Sequence, residues 1–323
     1  MNNLNKYHTL IIAIAVGLGL LLGQITAIKI FAEYLIVPFL MVMLFGLFLN
    51  IPLKNLLSSF SNHKFISATL VINFVWTPIL AYLLGLLLLK DHMSLWIGFV
   101  MLMVTPCTDW YLILTGIAKG NTSLAAAILP VNLILQLILL PVYLLLFFGK
   151  SGAVDTAILW ESILLVLLVP FLIAQLIKYW SFKRRKTELM KKNILPFFET
   201  AQIIFLALAI VAMFASQGEY LTNNLSVLYI LLIPILLFFL INFLVGRFAS
   251  FLLKFNYEDS VSLSLTTLAR NSPIALAIAL TAFPKDPLIA LALVIGPLLE
   301  LPILALVSQV LLRLRINSSG SIS

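Results

Sequence analysis

Apolar stretches of about 20 residues, the length at which a helix crosses the hydrocarbon core of a bilayer, recur from one end of the sequence to the other. Hydrophobic residues make up 63% of the 323 positions and charged residues 10%, whereas soluble domains are about half apolar and about one-quarter charged. Backbone groups in hydrocarbon must be hydrogen-bonded within the protein, so each long stretch predicts a helix. The sequence therefore predicts an all-α integral membrane protein without a separate soluble domain.

Polar residues, prolines and glycines divide the apolar sequence into ten predicted spans. These are residues 9–28, 32–50, 64–89, 94–118, 122–148, 156–180, 197–216, 225–253, 258–283 and 287–313. With ten spans, 15 Lys and Arg residues fall on one side of the membrane and four on the other. Because basic loops stay in the cytoplasm, we predict that both termini are cytoplasmic and that the membrane is a bacterial inner (plasma) membrane.

The net charge of +8 does not indicate a nucleic-acid partner, since the basic residues lie mainly in short connections between the spans. The predicted partners are the lipid bilayer and a small-molecule or oxyanion substrate. Gly19 and Gly23 have the GxxxG spacing, which permits close helix packing within the chain or in a homo-oligomer. The single cysteine excludes an internal disulfide, and the sequence has no phosphate-binding loop and no histidines at metal-ligand spacing. We therefore predict no cofactor, no metal site and no enzymatic activity.

Two pairs of prolines suggest that the halves of the chain are related. Pro106 and Pro273 are 167 residues apart, and so are Pro130 and Pro297. Each pair falls at a corresponding place, in spans 4 and 9 or early in spans 5 and 10. This predicts a five-span repeat, residues 1–150 followed by 151–323, within one membrane domain. Because five is odd, the second copy must be inverted relative to the first.

Spans 4 and 9 each carry a proline and a polar cluster near the middle, where polar groups are costly unless they face protein or a wet cavity. Proline lacks an N–H and clashes with the preceding turn, so Pro106 and Pro273 predict two broken helices. If the breaks cross, their helix termini present partial charges to one small volume, as in many secondary transporters. The candidate substrate-binding residues are Cys107, Thr108, Asp109, Arg270, Asn271 and Ser272.

The residues in the breaks leave alternatives open. Asp109 and Arg270 form a buried ion pair, which we favour, or an unpaired Arg270 attracts an anion. Cys107 is either a soft ligand for a metal or metalloid or a packing residue on an apolar helix. The prolines could be simple kinks, but two polar breaks at one repeat offset favour a binding site.

Other polar residues in the spans are candidates for lining the same cavity. Glu300 either carries a proton or pairs with backbone or a polar neighbour, and Asn132 and Gln136 lie four residues apart on one helix face. Asn73 and Asn242 are predicted to form interhelical hydrogen bonds.

In these segments the chain resembles the bile acid sodium symporter superfamily, and within it most closely the arsenical resistance permeases, which export arsenite. The resemblance rests on VTPCTDWYLILTGIAKGN in span 4, ARNSPIALAIAL in span 9 and VIGPLLELP in span 10. It implies a panel domain and a core domain in which spans 4 and 9 cross, with Cys107 as the functional thiol and Glu300 as the family's glutamate. It further implies secondary active export of arsenite or a related small oxyacid. The alternative is transport of an organic anion, as in bile acid symporters.

The chain departs from the superfamily at positions linked to substrate and coupling. The carboxylate that the arsenite permeases carry after the asparagine of span 9 is Pro273 here. The sodium ligands of the sodium-coupled members align with Thr266, Arg270, Tyr111 and Leu112. A guanidinium cannot lose its proton and would repel sodium. We therefore predict proton-linked or potential-driven transport instead of sodium coupling.

Overall fold

The computed structural model of the chain describes residues 8–50, 62–107, 110–149, 156–183, 190–223 and 226–320. Within these ranges the chain is helical apart from turns, short connections and an isolated antiparallel bridge. The helices are α1 (His8–Leu22), α2 (Thr26–Asn50), α3 (His63–Leu88), α4 (Met93–Met103), α5 (Trp110–Ile117), α6 (Thr122–Phe148), α7 (residues 156–183), α8 (Leu195–Asn223), α9 (Ser226–Leu252), α10 (Tyr257–Leu268), α11 (Ser272–Ala282) and α12 (Pro287–Gly320).

Seven of the described helices, α2, α3, α6, α7, α8, α9 and α12, are long and apolar enough to cross a membrane. The helix α6 coincides with the predicted fifth span. The boundary between the first two spans was predicted wrongly: the chain turns at residues 23–25, and α2 begins at Thr26 rather than at residue 32. Lys29 and Glu33 lie inside α2, because charged side chains do not end a helix when their polar heads can reach water.

Three helical segments contain a widened π-helical turn, and each turn lies just before a proline. The turns cover Ile72–Trp76, Leu164–Leu168 and Met190–Ile194, and the prolines are Pro78, Pro170 and Pro196. Proline cannot donate to the carbonyl four residues earlier, and a π turn is one way in which a helix accommodates the mismatch. In α3 the carbonyl of Phe74, which Pro78 leaves without its usual donor, accepts a hydrogen bond from the Tyr143 hydroxyl of α6 at 2.6 Å.

The chain forms two compact units, and each is assembled from both halves of the sequence. The first unit takes residues 1–51, 154–227 and 273–294. In it α8 packs against α1 and α2, and α7 packs against α2. A Cβ atom on Gly19 would lie 2.6 Å from Phe214 Cβ, and one on Gly23 would lie 2.6 Å from the Ala215 carbonyl oxygen. These glycines therefore permit close packing of α1 on α8, which confirms the prediction of close packing within the chain.

The second unit takes residues 52–153, 228–272 and 295–323, and it contains both helix breaks. Its helices α3, α6 and α10 meet in a buried apolar cluster of Phe65, Ile66, Ile72, Ile128 and Leu263. The division of the chain at residue 150 into two sequence repeats stays a prediction.

Candidate functional site

The two helix breaks pair with each other. Between α4 and α5, and between α10 and α11, the backbone leaves the helical conformation, and Pro106 and Arg270 form an antiparallel bridge. Two backbone hydrogen bonds flank the bridge, from Cys107 N–H to the Ala269 carbonyl (2.9 Å) and from Asn271 N–H to the Thr105 carbonyl (2.6 Å). Pro106 thus occupies a position whose N–H would point away from the partner, so the bridge loses no donor to proline.

The pairing has the symmetry expected of two related segments. Residue 107 donates to 269, and residue 271 donates to 105. Exchanging 107 with 271 and 105 with 269, which are each 164 residues apart, converts one hydrogen bond into the other. The starts of α4 and α10 are also 164 residues apart, at Met93 and Tyr257.

The Arg270 side chain caps the ends of both interrupted helices. It is 2% exposed, and its Nε donates to the Leu268 carbonyl at 3.0 Å while Nη1 donates to the Met103 carbonyl at 2.8 Å. Nη2 donates to the Thr267 carbonyl and, at 3.4 Å, to Asn73 Oδ1. Four of the five guanidinium N–H donors therefore have acceptors. The C-terminal carbonyls of α4 and α10 lack helical donors and carry partial negative charge, so a cation stabilises both ends.

Two further groups contact the paired breaks, residues 104–107 and 269–271, which together with the side chains around them are called the junction below. Glu300 of α12 is 3% exposed, and its Oε1 accepts a hydrogen bond from the backbone N–H of Arg270 at 2.7 Å. Of the two roles left open for Glu300, the structure therefore contains the contact with backbone. The Phe238 ring lies 5.3 Å from the guanidinium carbon of Arg270 and supplies a cation–π contact that the sequence analysis does not predict.

The predicted substrate residues fall into two groups. Cys107, Arg270, Asn271 and Ser272 are all buried and lie within or beside the paired breaks. Thr108 and Asp109 lie outside the described residues, and with them the predicted ion pair between Asp109 and Arg270. The break lies at residues 269–271, just before Pro273, which is the second residue of α11. A proline in the first turn costs a helix no hydrogen bond, so Pro273 begins the second half of the span.

The predicted interhelical hydrogen bonds of Asn73 and Asn242 are confirmed. Asn73 Oδ1 accepts from Arg270, and Asn242 Nδ2 donates to the Thr267 carbonyl at 2.5 Å. Asn73 belongs to the π turn of α3, so the widened turn carries a side chain that reaches the junction. The sequence signal for that turn is Pro78, two residues beyond its end.

Asn132 and Gln136 are fully buried on α6. Neither the oxygen nor the nitrogen of either amide has a hydrogen-bond partner among the described residues. Thr266 Oγ1 of α10, which lies in the same unit, is also buried without a partner among the described residues.

Tyr111 is a buried residue of α5 that sequence reasoning considered only by alignment. Its hydroxyl donates to the Ala125 carbonyl of α6 at 2.8 Å.

Comparisons with known proteins give a consistent set of similarities. Residues 37–224 match the model of the Sodium Bile acid symporter family. An uncharacterized transporter of Synechocystis is 25% identical over 313 residues, covering 86% of this chain and 80% of the relative. The arsenical-resistance protein Acr3 of Corynebacterium glutamicum is 25% identical over 295 residues, covering 85% and 80%. An uncharacterized sodium-dependent transporter of Bacillus subtilis is 24% identical over 167 residues, covering 52% and 49%.

Proposed function

The chain belongs to the sodium bile acid symporter family, and we propose on this premise that it exports arsenite or a related small oxyacid by secondary active transport. The family and the matched relatives are membrane transporters, so the chain is a transporter of a small molecule or ion and not an enzyme. The helices of membrane-spanning length make it a multi-pass membrane protein. Placement in a bacterial inner membrane with cytoplasmic termini is part of the proposal.

The observation that carries the substrate proposal is the position of Cys107. Its side chain is 2% exposed, and its backbone is held in the bridge between the two breaks. A thiol there can make a weak, exchangeable contact with trivalent arsenic, and weak contact suits a substrate that must be released. The relative named for arsenical resistance, which matches over most of its length, supports the same substrate.

The Arg270 guanidinium, which occupies the carbonyls of the junction, disfavours coupling to sodium. Carbonyl oxygens at the C-terminal ends of half-helices are typical ligands of a coupling cation. Here the Met103, Thr267 and Leu268 carbonyls accept from Arg270, which is always charged. We therefore propose proton-linked or potential-driven transport. The relative from Bacillus subtilis named as sodium-dependent makes sodium the first ion to test.

Transport of an organic anion held by Arg270 is the alternative. A buried cation favours it in principle. In this structure, however, an anion would have to displace carbonyls that already accept from the guanidinium. This alternative is therefore the weaker proposal.

The proposed architecture is ten spans in an inverted repeat, with spans 4 and 9 crossing at their breaks. The seven long helices, the two interrupted ones and α1 together supply ten segments. The antiparallel bridge between residues 164 apart supports a two-fold relation between the halves. The starts of α3 and α9, 163 residues apart, and of α6 and α12, 165 apart, support the same register.

Arsenite accumulation by inside-out membrane vesicles tests the function. We expect accumulation in the wild type, no stimulation by a sodium gradient, and a loss of about tenfold or more in Cys107→Ala. Ser308→Ala, which removes a similarly buried small polar atom from α12, is the control and should transport normally. Unchanged transport by Cys107→Ala would remove the thiol from the mechanism, and sodium-driven transport would overturn the coupling proposal.

A further inference from the structure

The two amide side chains of α6 present hydrogen-bonding groups that the described protein does not use. Asn132 and Gln136 are each 0% exposed, and all four of their polar atoms lack a partner among the described residues. An unpaired polar group in a buried site is costly, and an amide has both a donor and an acceptor to satisfy. Such groups call for a bound molecule, and an α6 face carrying two of them is a candidate ligand site.

The helix α10 runs beside α6 and brings a third unused group to this face. Both helices begin at the same end of the second unit, where the Asn121 side chain donates to Asp259 Oδ1 at 2.9 Å. Further along, Ile128 and Leu263 belong to one apolar cluster. Asn132 lies about 6 Å beyond Ile128, and Thr266 lies about 4.5 Å beyond Leu263, at 1.5 Å per residue. The two side chains are therefore at similar heights along the helix pair.

The rise per residue also gives the height of Gln136 relative to the junction. Gln136 lies about 12 Å beyond Ile128. The helix α10 ends at Leu268, about 7.5 Å beyond Leu263, and the break at residues 269–271 follows directly. The unused amides thus extend from the height of Thr266 to the height of the paired breaks. This is the region in which the proposed function places the substrate.

The charged groups of the junction are committed to protein partners. Arg270 donates to three carbonyls and Asn73, and Glu300 accepts from the Arg270 backbone. The unused groups beside them are neutral. A carboxylate or a fully deprotonated oxyanion only accepts hydrogen bonds, so it would leave both amide oxygens unpaired. A metal cation would bind the oxygens and leave both NH₂ groups unpaired. A hydroxyl group donates and accepts, and so it satisfies both halves of each amide.

We propose that Asn132, Gln136 and Thr266 bind the transported molecule, and that this molecule is an uncharged compound with several hydroxyl groups. The inference rests on the proposed function and narrows it. If arsenite is the substrate, it is bound as the uncharged trihydroxide and not as an anion. The amides recognise its hydroxyl groups, and Cys107 contacts its central atom.

Equilibrium binding to the purified full-length protein at pH 7 tests this assignment. The uncharged probes are arsenite, antimonite, boric acid and glycerol, and the anionic probes, which have no hydroxyl group at this pH, are sulfate and acetate. Asn132→Leu and Gln136→Met keep the side-chain size and remove the hydrogen-bonding groups. Gln202→Met is the matched control, because its Oε1 is also buried without a partner but lies in the first unit.

We expect at least one uncharged probe to bind the wild type and to bind each α6 variant about tenfold or more weakly, with no change in the control. Thermal stability without ligand should stay level or rise in the α6 variants, because an apolar side chain replaces an unpaired amide. A purely structural role would instead lower that stability and leave affinity unchanged.

The outcomes separate this inference from the proposed function. Binding of arsenite that survives both α6 substitutions would overturn the inference while arsenite export stands. Binding of another uncharged hydroxyl compound, but not of arsenite, through the same amides would overturn the substrate proposal and support the inference. Binding of the anionic probes alone, or of none of the probes, would overturn the inference.

Discussion

Arg270 holds together more of the junction than any other described side chain, because it joins the ends of α4 and α10 and places its own N–H on Glu300. Replacing it with glutamine leaves the buried carbonyls with fewer donors and removes the positive charge near the buried Glu300 carboxylate. We expect Arg270→Gln to lower the free energy of unfolding by about 3 to 5 kcal/mol, the usual cost of breaking a buried charge cluster. Thermal unfolding of the purified protein measures this.

Arg247→Gln is the control for that measurement. Arg247 is partly exposed and donates to Ser260 Oγ at 2.7 Å, so its loss should cost about 1 kcal/mol. Equal stabilities of the two variants would mean that Arg270 does not act as a helix cap.

The sequence was enough to identify which residues lie at the junction, but not which groups they hydrogen-bond to. The free-energy cost of polar residues inside a membrane span and the spacing of the prolines were enough to select Cys107, Arg270 and Asn271. A polar residue in the middle of a span is costly and therefore indicates a function. The partners of Arg270 are mainly backbone carbonyls, and carbonyls become available only where a helix ends. Which carbonyls face the guanidinium depends on how the two breaks pair, and side-chain identity carries no record of that pairing.

At the scale of the helix, α3 depends on a hydroxyl group from α6. Tyr143 supplies the donor that Pro78 withholds from the Phe74 carbonyl. We expect Tyr143→Phe to lower the free energy of unfolding by about 1 to 3 kcal/mol, because a buried carbonyl loses its partner. Tyr82→Phe is the matched control, since Tyr82 contacts Trp96 and Phe147 through its ring alone. Thermal unfolding that fails to distinguish the two variants would contradict this role for Tyr143.

The packing of α1 on α8 gives a second prediction for a single helix. Gly19 has no room for a side chain, whereas a Cβ on Gly17, two residues earlier in the same helix, meets nothing within 4 Å. We expect Gly19→Val to destabilise the protein by about 1 to 3 kcal/mol or more, the cost of overpacking, and Gly17→Val to have little effect. The midpoint of thermal unfolding in detergent compares the pair. A similar loss in both variants would point to helix propensity instead of packing.

Helix positions were predictable to the extent that apolarity marks them. The ends of α6 are a threonine after an N-cap asparagine and the last phenylalanine before a glycine, and both were located from sequence. The start of α2 and the C-terminal ends of α8 and α12 were not, since these helices extend through polar residues beyond the apolar run. Hydropathy marks the apolar part of a helix, whereas the helix itself can continue into polar sequence on either side.

For the whole molecule, the prolines predict a repeat with an offset of 167 residues, and the repeat itself stays a proposal. The bridge and the helix starts indicate an offset near 164, whereas the two proline pairs are 167 apart. Pro106 lies inside its break and Pro273 lies in the first turn after its break, so the two residues are not structural equivalents. Proline tolerates several positions near a helix interruption, and it therefore marks the interruption without fixing the register.

The ten-span topology can be tested with single cysteines, because Cys107 is the only cysteine in the chain and Cys107→Ser provides a background free of thiols. Four exposed lysines near helix ends are suitable sites: Lys64 and Lys183 on the predicted cytoplasmic side, and Lys90 and Lys285 on the opposite side. In intact cells a membrane-impermeant maleimide should label Lys90→Cys and Lys285→Cys. It should label Lys64→Cys and Lys183→Cys only after the cells are opened. If one half followed this pattern and the other half reversed it, the number of spans would be odd, and the two halves would be parallel rather than inverted.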